Sequence, residues 1–287
     1  MQSNRYPLQF YYKDRSTYPF NLHSHRECEI YYLHEGKGTF ILGDTIHELQ
    51  PGDLILVSAL TPHSSNADYR YPYIRSTLHF ETGYMKGLVH EPALRKGFMP
   101  FEREENLTLR PNRRQRQELE AIFCELHQHS LNKESSNRFL LHLLDLICFV
   151  SSLCHTSDRP HQSGRSDKAS KVGEIIAYLD DRFREDIELD QLARHFFMNK
   201  TYIAKIFKEV TGVTVFEYLK NKRINQAKIM LLINPTLSIT EVCFELGFKH
   251  SSHFSRTFKT YAGVTPEEYR RTMKRSQLPA RVSLQPW

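Results

Sequence analysis

The sequence predicts an α+β chain of two domains: a β-sandwich or barrel with flanking helices, followed by a separate all-helical domain. Three observations predict it. Up to about Phe101, short runs rich in Tyr, Phe, Ile, Thr and Leu alternate with turn signals. From Pro111 the apolar residues recur at helical spacing, and the last third of the chain repeats itself.

In the first block, Glu35-Gly36, Leu42-Gly43-Asp44, Gln50-Pro51-Gly52-Asp53 and Thr61-Pro62 punctuate the runs Glu29–Leu33, Thr39–Leu42 and Leu54–Val57. Short strands at near-regular spacing imply a sandwich or barrel over residues 1–110. In residues 111–155, Leu119, Ile122, Phe123 and Leu126 mark one helix. A second, Phe139 to Leu153, is apolar on most faces and asks for burial on two sides, within one monomer or against a second copy of the chain. Residues 156–171 are polar and contain Ser, Pro and Gly, the composition of a linker. Helical patterning then fills 172–271, and the tail 272–287 has no periodicity.

Composition narrows the class. With 287 residues, 40% hydrophobic and 25% charged, the chain resembles an ordinary soluble protein of about two domains. No uninterrupted apolar run approaches the ~18 residues of a membrane-spanning helix. Met1 to Pro7 carries no apolar segment behind a basic start. Cys28, Cys124, Cys148, Cys154 and Cys243 are scattered, odd in number and without a CxxC pair, which reads as free thiols of a reducing compartment. The expectation is a cytoplasmic protein with no membrane partner. Charge is unevenly spread: residues 1–164 carry a net −1, residues 165–190 a net −3, and residues 191–287 a net +10. The excess sits where a polyanion would be met, although a solubilising face would show the same balance.

That basic block holds the repeat. Phe207-Lys208, Gly212-Val213-Thr214 and Glu217-Tyr218 recur 51 residues on as Phe258-Lys259, Gly263-Val264-Thr265 and Glu268-Tyr269. Leu189, Leu192 and Ala193 correspond to Ile239, Val242 and Cys243 at an offset of 50, so a turn lies between the two segments. Each copy reads as helix, turn, helix. In the second, Ser238-Ile239-Thr240-Glu241 is a capping box, Gly247 supplies a left-handed turn, and Ser251 or Ser252 caps the next helix. In the first, Asn199 caps a helix with Ile203 and Phe207 inward and Tyr202 and Lys205 outward. Thr214–Glu217 and Thr265–Glu268 form further capping boxes, and a helix from Phe216 to Ile233, stopped at Asn234-Pro235, joins the copies.

Two helix-turn-helix patterns with cationic second helices, joined by one helix, resemble the AraC/XylS family of transcription regulators over about Val172 to Arg271. The resemblance implies two units reading adjacent major-groove segments of double-stranded DNA. Carried over by position, the reading helices are about Lys200 to Glu209 and Ser252 to Tyr261. The base-contact candidates are Asn199, Lys200, Thr201, Tyr202 and Lys205, then His250, Ser251, Ser252, His253 and Arg256, with Arg256 suited to guanine. Lys208, Lys220, Lys222, Arg223 and Lys259 are expected on phosphates or in solvent. The sequence departs from the family at Phe197, where a glycine is usual, so distortion of the first turn is expected.

In the first block, His23-Ser24-His25 is followed by Glu29 and, after six intervening residues, Gly36; Pro51-Gly52-Asp53 and Pro62-His63 come further on. This spacing resembles the two motifs of the cupin barrel, a fold often found ahead of the AraC-type domain. The resemblance implies a small-molecule effector pocket at His23, His25, Glu29, Tyr31 and His63, with a sugar or related polar molecule as effector and no cofactor. The alternative use of His23, His25, Glu29 and His63 is to ligate one divalent metal, for which imidazoles and a carboxylate are suitable donors. Tyr31, Tyr32 and Phe40 could stack on a sugar ring or simply fill the core.

The function expected is an effector-controlled, sequence-specific DNA-binding regulator, not an enzyme. As an activator it would have RNA polymerase as a partner, and the Phe139–Leu153 helix would make it a homodimer. Two rivals remain at this level: a metal-dependent cupin enzyme with a helical appendage, and a regulator without a ligand.

Overall fold

The computed structural model describes residues 8–16, 22–43, 45–102, 106–131, 136–156, 167–234 and 236–276. The bulk of the chain falls into two compact units, one ending before and the other starting at Asp167. Linker residues 157–166, Pro235 and the tail from 277 lie outside the described residues.

The strands of the first unit are β1 (Leu8–Asp14), β2 (Cys28–Glu35), β3 (Gly38–Leu42), β4 (Thr45–Leu49), β5 (Leu54–Val57), β6 (His63–Ala67), β7 (Ile74–Phe80) and β8 (Leu107–Leu109). Five form a sheet in the order β1-β7-β2-β5-β8 and three form a second, β4-β3-β6. The three runs expected as strands fall inside β2, β3 and β5. Strand β2 is buried on both faces, which is why it reads as one apolar run. Its odd and even residues go to different cores. Tyr31 and Leu33 meet Phe40 and Leu42 of the second sheet, while Ile30 and Tyr32 pack with Phe123 and Ile147 from the helices. Gly36, at φ +120°, lets the chain leave β2 with Pro72 carbonyl oxygen only 2.5 Å from where a Cβ would stand.

After β7 come α1 (Thr82–Leu88), α2 (Pro92–Arg95), a 3-10 turn at Lys96–Phe98 and α3 (Met99–Glu102). The two long helices are α4 (Arg113–Ser130) and α5 (Ser136–Thr156). An Asn112/Gln115 capping box, unnoticed in the sequence, starts α4. Leu119, Ile122, Phe123 and Leu126 turn inward together, as their spacing predicts. By length and mean hydropathy (1.4 over Asn137–His155) α5 could cross a membrane. Its Leu143, Leu146, Ile147, Val150 and Leu153 are instead built into the core with α4 and the larger sheet.

The second unit consists of α6 (Asp167–Arg182), α7 (Leu189–Phe196), α8 (Lys200–Thr211), α9 (Val215–Ile233), α10 (Ile239–Glu245), α11 (Ser251–Ala262) and α12 (Pro266–Ser276). Helix α6 begins inside the stretch expected as linker, and α12 continues into the stretch expected as tail. The first boundary lies earlier than the composition suggests because Asp167, Lys168 and Lys171 look like polar loop in sequence but form the solvent side of an amphipathic turn over the buried Ala169 and Val172. Helix α9 packs against α8 and also against α10, α11 and α12, with Tyr218, Ile224, Ala227 and Leu231 buried along it. One helix therefore carries both repeats.

Candidate functional site

In the first unit, strand pairing builds a histidine–carboxylate cluster. Glu29 alternates with Tyr31 and Leu33 toward the second sheet and is 4% exposed. Three imidazoles converge on its Oε2: His25 Nε2 at 3.3 Å, His63 Nε2 at 3.0 Å and His79 Nε2 at 3.1 Å. His25 precedes β2, His63 opens β6, and His79 stands opposite Glu29 in the β2–β7 register. His25, Glu29 and His63 offer metal-ligand atoms that all lie within 4.8 Å of one another, whereas His23 falls in a short segment that clusters with the second unit.

Burial alone would raise the Glu29 carboxyl, but the facing imidazoles of His79 and His63 hold it well below the usual carboxylate range. Burial lowers His79, and the Glu29 carboxylate reverses that and raises it. The ring orientations are fixed from outside the cluster. His25 Nδ1 donates to Glu27 carbonyl oxygen and His63 Nδ1 to Thr61 carbonyl oxygen, each at 2.8 Å. A neutral ring so held aims its Nε2 lone pair at the carboxylate, an arrangement that needs protons or a cation between. Two or three imidazoles and a carboxylate are suitable donors for zinc, while their 3.0–3.3 Å spacings are equally those of hydrogen bonds. The residues therefore fit a divalent metal.

Of the expected pocket residues, Tyr31 behaves differently. Its ring is in the core and its hydroxyl bonds that of Tyr73. Phe40 and Tyr32 are likewise core residues, at 1% and 2% exposed. His79 escaped the sequence reading because its place depends on a pairing across 50 residues.

In the second unit, α7–α8 and α10–α11 form the two helix-turn-helix pairs. All ten DNA-contact candidates, Asn199, Lys200, Thr201, Tyr202, Lys205, His250, Ser251, Ser252, His253 and Arg256, are solvent-exposed. Ile203, Phe207, Phe254 and Phe258 on the same helices are fully buried. Some of the ten have local work. Asn199 Oδ1 accepts the Thr201 amide at 2.8 Å as the helix cap, and Lys200 Nζ pairs with Asp190 at 2.9 Å. The cap position of α11 is His250, without a side-chain bond; neither Ser251 nor Ser252 serves as cap, since both already lie in the helix.

Two of the expected phosphate-binding cations are structural. Lys222 is 8% exposed and pairs with Asp180, whose other oxygen accepts the Tyr218 hydroxyl. Arg223 donates to three carbonyls, of Phe183 (2.6 Å), Glu185 (2.7 Å) and Gly247 (3.1 Å). These residues lie on the packed side of α9, which its weak amphipathic pattern concealed. Lys208, Lys220 and Lys259 are exposed. The expected distortion at Phe197 is also absent: its φ of 52° is left-handed like the 77° of Gly247.

A model of the AraC-like ligand binding domain matches residues 7–144, and one of the helix-turn-helix domain matches residues 192–272. An uncharacterised helix-turn-helix transcriptional regulator of Escherichia coli, YdiP, is 23% identical over 96% of this chain and 92% of its own. The transcriptional activator RhaR of Mannheimia succiniciproducens is 24% identical over 88% of this chain and 87% of its own. The melibiose operon regulatory protein of Escherichia coli is 23% identical over 87% and 83%. Regulators of this kind are not enzymes, which removes the cupin-enzyme alternative. With a ligand-binding β-rich unit ahead of two DNA-reading heads, the chain belongs to the AraC/XylS family as a ligand-controlled DNA-binding transcription regulator.

Proposed function

We propose that the effector is a small polar molecule, of the carbohydrate class, taken at the Glu29 cluster, and that its binding changes how the two heads engage DNA. The observation that carries this is a buried carboxylate facing three imidazoles inside the ligand-binding unit. Such a group of acceptors and donors, its rings held in place by hydrogen bonds from outside the cluster, offers a small polar molecule directed partners. His25 and His79, whose side chains are 15% and 18% exposed, form its approachable edge. Relatives named for the melibiose operon and the msm operon support the sugar class. The reading heads contact base edges through the exposed residues of α8 and α11, Arg256 foremost.

The fit of His25, Glu29 and His63 to a divalent metal favours a second reading, in which the cluster ligates a metal as cofactor. Titration of the full chain with mono- and disaccharides, with and without zinc, tests both. The first reading expects a sugar to bind and Glu29→Gln to abolish binding. Zinc binding lost in His63→Ala, with no response to any sugar, would replace it with the second.

The protein acts in the cytoplasm as an activator, with RNA polymerase as partner, and as a homodimer through the outward residues of α5. Leu141, 65% exposed on that helix, is the residue this dimer would bury.

A further inference from the structure

The α4–α5 hairpin carries another group of metal-ligand type, distinct from the barrel cluster and unused by the function proposed above. Glu125 and His129 stand at i and i+4 on α4 and so share a face. His142, on α5, faces them from the neighbouring helix. Glu125 Oε2 lies 3.7 Å from His129 Nε2 and 3.9 Å from His142 Nε2. The three ligand atoms all fall within 4.8 Å of one another. The two imidazole planes are within 7° of parallel, with centroids 5.3 Å apart.

These spacings distinguish the group from a hydrogen-bonded one. A ring nitrogen donating to a carboxylate closes to about 2.7–3.2 Å, as His63 and His79 do on Glu29 at 3.0 and 3.1 Å. At 3.7 and 3.9 Å the hairpin groups face one another without such a bond. Around a tetrahedral zinc ion with bonds of about 2.0–2.1 Å, neighbouring ligand atoms stand about 3.3 Å apart. A small closing movement of these side chains would enclose an ion. Among the described residues the ion-pair partners of Glu125 are these two histidines, so no lysine or arginine there already neutralises it. The side chains are 15% (His129), 31% (His142) and 47% (Glu125) exposed, so an ion reaches them directly from solvent.

We propose that Glu125, His129 and His142 form a zinc site that clasps α4 to α5, with water as the fourth ligand. Two imidazoles and a carboxylate select a transition metal over calcium or magnesium. Three protein ligands with water in the fourth position is the ligand count of open zinc sites, as distinct from the closed four-residue set of a zinc finger. Because α4 and α5 pack their inner faces into the core under the larger sheet, an ion across their outer edge ties down the helical layer of the ligand-binding unit.

The test uses the full chain, zinc and cobalt as probes, and readouts of stoichiometry, cobalt visible absorption and melting temperature. His129→Ala and His142→Ala should each lose one equivalent of zinc, or weaken it at least tenfold. They should also lose the zinc-dependent rise in melting temperature while melting as the parent does in chelator. His63→Ala, which strips the barrel cluster, should keep that equivalent, so failure of the hairpin site and failure of a barrel metal are separable. Should either alanine variant fail to fold, the near-isosteric Glu125→Gln decides. Unchanged zinc stoichiometry and cobalt spectrum in a folded variant would overturn the proposal.

Discussion

Phe197 and Gly247 hold the same left-handed backbone at equivalent points of the two reading heads, φ 52° and 77°. The turns close alike: the Met198 amide bonds Ala193 carbonyl oxygen at 3.0 Å, and the Phe248 amide bonds Cys243 carbonyl oxygen at 3.1 Å. The fold of the first head thus dictates the conformation, and a residue with a β-carbon accepts it at a cost of about 1–2 kcal/mol. The Phe197 side chain adds little packing against that cost, since the residue is 96% exposed.

Replacing Phe197 by glycine should therefore stabilise the C-terminal unit, by about 1 kcal/mol in urea unfolding. The reciprocal change, Gly247→Ala, should destabilise it by about 3 kcal/mol through the same backbone strain and overpacking. Its Cβ would stand 2.0 Å from Arg184 carbonyl oxygen. Equal and opposite small shifts for the two variants would contradict this asymmetry.

Arg256→Ala should weaken binding to the preferred operator by about 1–3 kcal/mol and relax preference at one base pair, whereas Lys259→Ala should weaken all DNA alike and reduce the salt slope by about one. Both side chains are exposed on α11, but Arg256 lies in its first half and carries the bidentate fork. Binding curves on selected and random duplexes at several salt concentrations separate the two outcomes.

Three capping glutamates make the C-terminal unit acid-sensitive. Hydrogen bonds from the backbone amide and then the hydroxyl of Thr214, Ser238 and Thr265 lower the carboxyls of Glu217, Glu241 and Glu268. A depressed folded value means that the stability is fully present above the ordinary value, about 4.3, and is lost as pH falls through the lowered one. Far-ultraviolet circular dichroism should show helix loss beginning below that pH. The triple Glu→Gln variant should be less stable at neutral pH and show a flatter acid limb.

Leu141→Glu should convert a dimer to a monomer in sedimentation equilibrium at tens of micromolar, with an unchanged melting curve, because Leu141 is 65% exposed on α5. A parent chain already monomeric at that concentration, free and on DNA, would remove the dimer.

Much of this architecture was legible locally. Capping boxes and the repeat placed α8 to α12 because helix signals lie within a few residues of the helix they govern. Short apolar runs placed β2, β3 and β5, but β7 went unnoticed because Ser76 occupies one of its buried positions beside Leu78 and Phe80. His79 was hidden with it, since only the pairing of β2 and β7 brings it to Glu29. The roles of Lys222 and Arg223 depend on which side of α9 is covered, and a helix packed nearly all round leaves no periodicity from which to read that. At Phe197 the reason is different: residue preference describes the cost of the turn and not whether the rest of the head imposes it.

The grip of Arg223 on Phe183, Glu185 and Gly247 has a consequence for the operator. One guanidinium fastens the joining helix both to the segment leading into the first head and to the turn of the second. The pair then behaves as a caliper with a locked screw. One extra base pair between the two half-sites rotates the second by about 35° around the duplex, and a locked caliper has no slack to follow. The burden of adjustment falls on the DNA, so tolerance to spacing should track the bendability of the intervening base steps.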